Sequence, residues 1–132
     1  MNPMASARQL TLESLSALRA LVSDAAGGAG VDAERVAHFA VAVDEAMTNA
    51  IRYAGGGHIS ISVDPGESVT VEVADHGPGI PPGTPVELPP PESVGGRGLW
   101  LMRTLCDRLD IDTGPGGTTA RLTMLVSPPR HG

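Results

Sequence analysis

Glu45 and Asn49 stand four residues apart, a spacing that puts both on one face of an α-helix about one turn from each other. A carboxylate beside an amide can hold a water or hydroxyl, and with it a hard cation. Mg2+ takes oxygen ligands and keeps only one or two from protein, with phosphate oxygens and water supplying the rest. An ordinary polar helix face would carry the same pair. Asp44 is adjacent, but it lies about 100° round the helix.

Asp75 is followed by His76-Gly77-Pro78-Gly79-Ile80. A carboxylate at a strand end can accept a hydrogen bond from an exocyclic amine such as that of adenine. Gly77 and Gly79 let the backbone pass close to a flat ring or a phosphate with no Cβ in the way. A plain Asp-Gly turn is the simpler alternative. Gly95-Gly96-Arg97-Gly98-Leu99 precedes an apolar helical pattern and could aim amide N–H groups and a helix N-terminus at phosphates, with Arg97 adding charge. It is not a Walker loop, because no Gly-Lys-Ser/Thr follows, and a flexible linker would look similar. Thr118, after Gly117, could bond near Asp75 if the strands that carry them are neighbours, although threonine is also simply β-prone.

These residues need elements to hold them. Leu15, Leu18 and Val22, with Ala25 extending the stripe, predict an amphipathic helix over residues 10–26, ended by the glycines at 27, 28 and 30. Asp32 can cap a second helix carrying Val36, Phe39, Ala40, Val43, Met47, Ala50 and Ile51, which stops at Gly55-Gly56-Gly57. Ile59, Ile61 and Val63 alternate with polar residues, as do Val69, Val71 and Val73. With Asp64-Pro65-Gly66 between them they predict a hairpin. Residues 76–97 carry so many prolines that a long loop, of the kind that forms lids or binding segments, is expected. A third helix from Gly98 carries Leu101, Met102, Leu105 and Leu109. A short strand over 109–113 and a last strand with Ala120, Leu122, Met124 and Val126 flank a turn at 114–117. The fold class expected is α+β: a two-layer sandwich with a mixed, mostly antiparallel sheet and helices on one face. Residues 10–126 would form the domain, 1–9 an N-terminal segment and 127–132 a tail.

Composition excludes several classes. At 132 residues, 41% hydrophobic and 18% charged, the chain is long enough for one core and too apolar for a disordered one. A net charge of −6, with no basic stripe or aromatic platform, argues against direct nucleic-acid binding. No apolar run is long enough for a membrane span, and residues 1–8 do not read as a signal peptide. The single Cys106 fits a reducing cytoplasm. It falls on the apolar side of the third helix. His38, His58, His76 and His131 show no metal-ligand spacing, and the serines lack a triad pattern.

Taken in order, the segments resemble the boxes of the Bergerat-type (GHKL) ATP-binding superfamily, which includes histidine kinases and DNA gyrase. Glu45 to Asn49 resembles its N-box, Asp75-x-Gly77-x-Gly79 its first glycine box, Gly96-Arg97-Gly98-Leu99 its second, and Gly117-Thr118 its closing Gly-Thr. The resemblance covers roughly residues 10–126. Within the superfamily the chain is most similar to the small stand-alone anti-sigma-factor serine/threonine kinases of bacteria. A phospho-accepting His followed by Glu is missing, since Phe39 follows His38.

That resemblance implies ATP and ADP as ligands with Mg2+. Glu45 would be the general base toward a serine hydroxyl of a partner, and Asn49 would ligate Mg2+. Asp75 would bond the adenine amine with support from Thr118, while Gly77, Gly79 and Ile80 border the base. Gly96, Arg97, Gly98 and Leu99 would meet the phosphates. It implies two partners, a sigma factor held inactive and an antagonist phosphorylated on serine. Relatives of this kind often form homodimers, though the sequence names no interface. Two departures stand out: Tyr53 where many relatives carry histidine, and a segment 81–94 with Glu87 and Glu92 but no Lys or Arg. The second keeps a different reading open, a nucleotide-gated adaptor that binds its partner without phosphorylating it. A small α+β interaction domain without a nucleotide is the third.

Overall fold

The computed structural model describes residues 6–80 and 98–127. Residues 81–97 of the loop expected over 76–97, which include the lid segment 81–94, and the tail beyond Ser127 lie outside them. Eight elements follow one another: β1 (Ser6–Leu10), α1 (Leu15–Ala29), α2 (Ala33–Ala54), β2 (Gly57–Asp64), β3 (Ser68–Asp75), α3 (Gly98–Leu105), β4 (Arg108–Gly114) and β5 (Gly117–Leu125). The strands form one sheet in the order β1-β2-β3-β5-β4, and every pairing among the described residues is antiparallel. All three helices lie on one side. α1 packs on β2 and β3, α2 on β3 and β5, and α3 against α2 and β4. The two-layer α+β sandwich is the architecture expected from the alternation of the strands.

Register follows from burial. Ile59, Val69, Val71, Val73, Ala120, Leu122 and Met124 all turn to the helices and are buried. They are paired in rows: Val71 opposite Leu122, Val73 opposite Ala120, Ile59 opposite Val73. Burying a side chain of this size contributes about 1.5–3 kcal/mol. A slip of one residue in β3 would turn three valines to the open face at once. The opposite face carries the polar alternates, among them Glu72 and Arg121, which form an ion pair at 2.7 Å.

α2 is the central support. Its first turn is capped by Asp32, whose Oδ1 accepts from the Arg35 N–H at 3.0 Å. Phe39, Ala42, Val43, Ala46, Met47 and Ala50 form its buried stripe. It ends at Gly55, with φ +76°. Arg35 then ties the helix start to the far side of the sheet, bonding Asp107 and the carbonyl of Leu125, while Asp107 accepts from the Leu125 N–H at 2.7 Å. No helix among the described residues is long and apolar enough to cross a membrane.

Three local expectations change. The first helix starts at Leu15, not residue 10, and the residues before it form β1, an edge strand with Leu10 opposite Gly57. The turn between them is held by a reciprocal pair. Thr11 N–H donates to Ser14 Oγ at 2.9 Å and Ser14 N–H to Thr11 Oγ1 at 3.1 Å. α1 also runs through Gly27 and Gly28 and ends only at Gly30, with φ +112°. Ala26 and Ala29 are buried, and that packing outweighs the weak helix propensity of the two glycines. Finally, α3 stops at Leu105, so Cys106 lies just beyond it rather than on it, though it is buried as expected.

Candidate functional site

Glu45 and Asn49 are both half-buried on α2 and come together at one place, the N-terminus of α3. A Cβ added to Gly98 would lie 3.1 Å from Asn49 Nδ2 and 3.2 Å from Glu45 Oε2. The absent side chain is therefore what leaves room between the two polar groups. The carboxylate and the amide oxygen, once the amide is turned, give the oxygen donors Mg2+ prefers. Among the described residues no group of three His, Cys, Asp or Glu side chains gathers to hold a metal. A cation here would take most of its ligands from phosphate and water, as Mg2+ does. Asp44 faces away and bonds Arg19 of α1 at 2.6 Å.

The second cluster forms at the ends of β3, β5 and β4. Register places Asp75 opposite Thr118, and Thr118 opposite Thr113. Val73, Ala120 and Ile111 form the next row inward on the same face, so the polar row caps an apolar one. Asp75 Oδ1 accepts from the Gly77 N–H at 3.0 Å and from the Thr118 N–H at 3.2 Å. Oδ1 accepts both hydrogen bonds that Asp75 makes among the described residues, and Oδ2 keeps its lone pairs there. Thr118 thus reaches Asp75 through its backbone, while its hydroxyl pairs with Thr113 Oγ1 at 2.7 Å. A cleft of about 330 Å³ opens at these strand ends, lined by Asp75, Thr113 and Thr118 and by Ala74, Asp112 and Thr119 of the opposite face, whereas Gly77, Gly79 and Ile80 are not in its lining. That is within the size range of small-molecule pockets.

The glycines at this end have a cause the sequence reading did not supply. A Cβ on Gly77 would stand 2.7 Å from the Cβ of Ala54, at the end of α2. A Cβ on Gly79, whose φ is +87°, would run into the carbonyl oxygen of Gly114. One on Gly117, with φ +134°, would run into that of Asp75. All three let parts of the protein touch one another. Ile80 donates its N–H to Thr113 Oγ1 at 2.8 Å, while its side chain packs at the edge of the core. Leu99 is 7% exposed and belongs to the core, so its side chain holds α3 in place and does not line the cleft. Gly96 and Arg97 lie outside the described residues. Thr113 carries no motif and was missed. Its only sequence signal is its place four residues before Gly117, across a tight turn.

α2 joins the clusters. Glu45, Asn49 and Tyr53 follow one another at four-residue steps along one face, a rise of about 12 Å from first to last. The Tyr53 carbonyl and Ala54 meet the loop at Gly77. The Tyr53 ring is exposed, with the Arg52 guanidinium 5.8 Å from its centre. The site thus has a pair of oxygen-bearing side chains at one end and a strand-end carboxylate with a cleft at the other.

The family model of the histidine kinase-like ATPase domain matches residues 9–124. The anti-sigma F factor of Thermoanaerobacter sp. (strain X514) is 32% identical over 103 residues, covering 70% of this chain and 72% of that protein. The anti-sigma F factor of Caldanaerobacter subterraneus subsp. tengcongensis matches over the same extent. Among solved structures, the RsbU and RsbW domains of Rv1364c from Mycobacterium tuberculosis align with all of this chain at a TM-score of 0.65 and 22% identity. This chain spans 35% of that one. The histidine kinase domain of the Erythrobacter litoralis EL346 blue-light activated histidine kinase aligns with 85% of this chain, which spans 63% of it, at a TM-score of 0.56 and 24% identity. At those identities the structural likenesses speak for the fold. The family model and the curated relatives speak for descent: the chain belongs to the histidine kinase-like (GHKL) ATPase family and, within it, to the anti-sigma-factor kinase group.

Proposed function

We propose that this chain is an ATP-dependent serine/threonine protein kinase that holds a sigma factor inactive and phosphorylates a serine of that factor's antagonist, acting as a homodimer. The relatives named anti-sigma F factor support the sigma factor as a partner, while the antagonist and the homodimer follow from the family resemblance. The observation that carries the catalytic reading is the meeting of Glu45 and Asn49 in the space left by Gly98. Asp75 Oδ2 accepts a hydrogen bond from the adenine amine, held in line by the two N–H groups on Oδ1. Gly96 and Arg97 are assigned to the phosphates by their motif alone. Asn49, with Glu45 beside it, would hold Mg2+, which supplies neutralisation of phosphate charge. Glu45 takes the proton of the attacking serine hydroxyl. The serine oxygen forms a bond to the γ-phosphorus while the bond to the β–γ bridging oxygen breaks, and ADP leaves with that electron pair. Such a transfer needs mainly positioning and electrostatics, which two placed carboxylates and an amide can supply.

Titration calorimetry of Mg-ATP and ADP against wild type and Asp75→Ala tests the adenine site. Tight binding lost in the variant supports it, and equal binding by both sinks it. Phosphate transfer is then read by mass spectrometry on the antagonist from the same organism. A second reading has its own support: residues 81–94 contain no Lys or Arg to grip a triphosphate. A nucleotide-gated adaptor would form an ATP-dependent complex and leave the antagonist without phosphoserine.

A further inference from the structure

We propose that Thr113 is a positioning residue of the nucleotide pocket: its hydroxyl fastens the loop after β3 to the β4–β5 hairpin and orients the hydroxyl of Thr118 beside Asp75. This rests on the reading of that cleft as an adenine site. Thr113 is the third member of the cross-strand row that begins at Asp75 and passes through Thr118. Its Oγ1 accepts from the Ile80 N–H at 2.8 Å and shares a proton with Thr118 Oγ1 at 2.7 Å. Thr118 N–H in turn donates to Asp75 Oδ1. One hydroxyl therefore connects the loop, the hairpin and the carboxylate.

A proton count shows what the arrangement offers a ligand. Each threonine hydroxyl has one proton and two lone pairs. Thr113 spends one lone pair on Ile80, and the Thr113–Thr118 bond uses one of the two hydroxyl protons. When Thr113 donates, the proton left over is on Thr118, on the strand next to Asp75; when Thr118 donates, it is on Thr113, one strand further away. In the first arrangement, which the Thr113 hydroxyl sets by donating, the cleft presents a donor beside an acceptor and complements an edge carrying an amine next to a ring nitrogen. It mismatches an edge carrying an oxo group next to an N–H. Thr113 is exposed, so its hydroxyl is not there to satisfy a buried group. The loop it fastens is also pressed onto the hairpin at Gly79, whose Cβ position is 3.0 Å from Thr113 Oγ1.

Thr113→Val keeps the β-branched shape and removes the hydroxyl. Thr113→Ser keeps the hydroxyl. Thr113→Ala is a second hydroxyl-free variant should valine fold poorly. Amide exchange at Ile80 in the unliganded protein reads the latch without any nucleotide, and calorimetry with Mg-ATP and Mg-GTP reads the pocket. In Thr113→Val, Ile80 exchange should quicken roughly 3- to 10-fold, ATP affinity should fall about 10-fold, and preference for ATP over GTP should narrow. Thr113→Ser should stay within about 2-fold of wild type on each. Unchanged Ile80 exchange and ATP affinity in the hydroxyl-free variants would overturn the proposal, as would serine failing to restore them. Should Asp75→Ala bind ATP as well as wild type, the adenine reading itself falls and takes the pocket role of Thr113 with it. Loss of binding in Asp75→Ala but not in Thr113→Val overturns the Thr113 proposal alone.

Discussion

The two ends of the site are held by different forces. At the strand ends, Asp75, Thr118 and Thr113 are placed by register and tied to one another and to the loop by hydrogen bonds. On the helices, Glu45 and Asn49 are placed by a four-residue step and by the packing of α3 against α2, and the space between them exists because residue 98 has no side chain. On the proposed reading the strand end is a preformed reading surface, and the helix end is a small volume bounded by polar groups. A reading surface is sensitive to losing polar atoms and to displacement of its backbone. A reaction volume is sensitive to losing its base. Binding and transfer should therefore come apart under mutation.

The largest separation is expected at Glu45. Glu45→Gln keeps the shape and removes the proton acceptor, so phosphate transfer should fall by about 10³-fold, roughly 4 kcal/mol in the barrier. ATP affinity should stay within about 2-fold if adenine is read at the strand end, as proposed, and not beside Glu45. Single-turnover transfer and calorimetry on the same preparation check this. A parallel collapse of affinity would mean that the two ends are one cooperative unit and that the division drawn here is wrong.

What could be read ahead of the structure follows the same line. The helix end was visible because its spacing is periodic: Glu45 and Asn49 share a face on any α-helix. The hairpin of β2 and β3 was visible because Val69, Val71 and Val73 alternate. β1 was not, because Ser6–Leu10 has one large apolar residue and becomes a strand only by pairing with β2. The Thr11–Ser14 exchange was the one local sign that a helix begins after it. The roles of Gly77, Gly79 and Gly117 were hidden for a related reason. Each answers to a contact distant in sequence, with Ala54, Gly114 and Asp75 respectively, and a motif shows a glycine without showing what it makes room for. Thr113 was hidden entirely, since its importance lies in which strands are neighbours.

The next effect in size should be at one of those glycines. Gly79→Ala places a side chain at φ +87° and against the Gly114 carbonyl oxygen. The backbone cost is about 1–2 kcal/mol and the overlap adds about 1–3 kcal/mol, so a loss of about 3 kcal/mol in urea unfolding is expected, together with weaker ATP binding. Gly66→Ala is the control. It has φ +78° with nothing within 4 Å of its Cβ position, and should show the backbone cost alone and unchanged binding. Equal losses at the two positions would show that the loop is not pressed onto the hairpin, and the strand end would then be less preformed than the comparison requires.

The smallest effect tests the far end of α3, whose near end carries Gly98. Cys106 is buried, with its Sγ donating to the Met102 carbonyl at 2.8 Å and close to the Arg108 carbonyl at 3.2 Å, and burial pushes the thiol up from 9.0 to about 11. The neutral thiol is favoured by folding, so its contribution is full below about pH 9 and is lost as pH rises through about 11. The expected loss is about 2 kcal/mol, somewhat under the full shift because part of the side chain meets solvent. The measurement is unusually clean, since the chain has no lysine and no second cysteine. Cys106→Ala should flatten the slope of stability between pH 9 and 11. Native Cys106 ionises only as pH nears about 11, so α3 should loosen there and not at pH 9, and transfer should decline at that point before ATP affinity does. A wild-type protein losing both together would place the two ends of the site under one control after all.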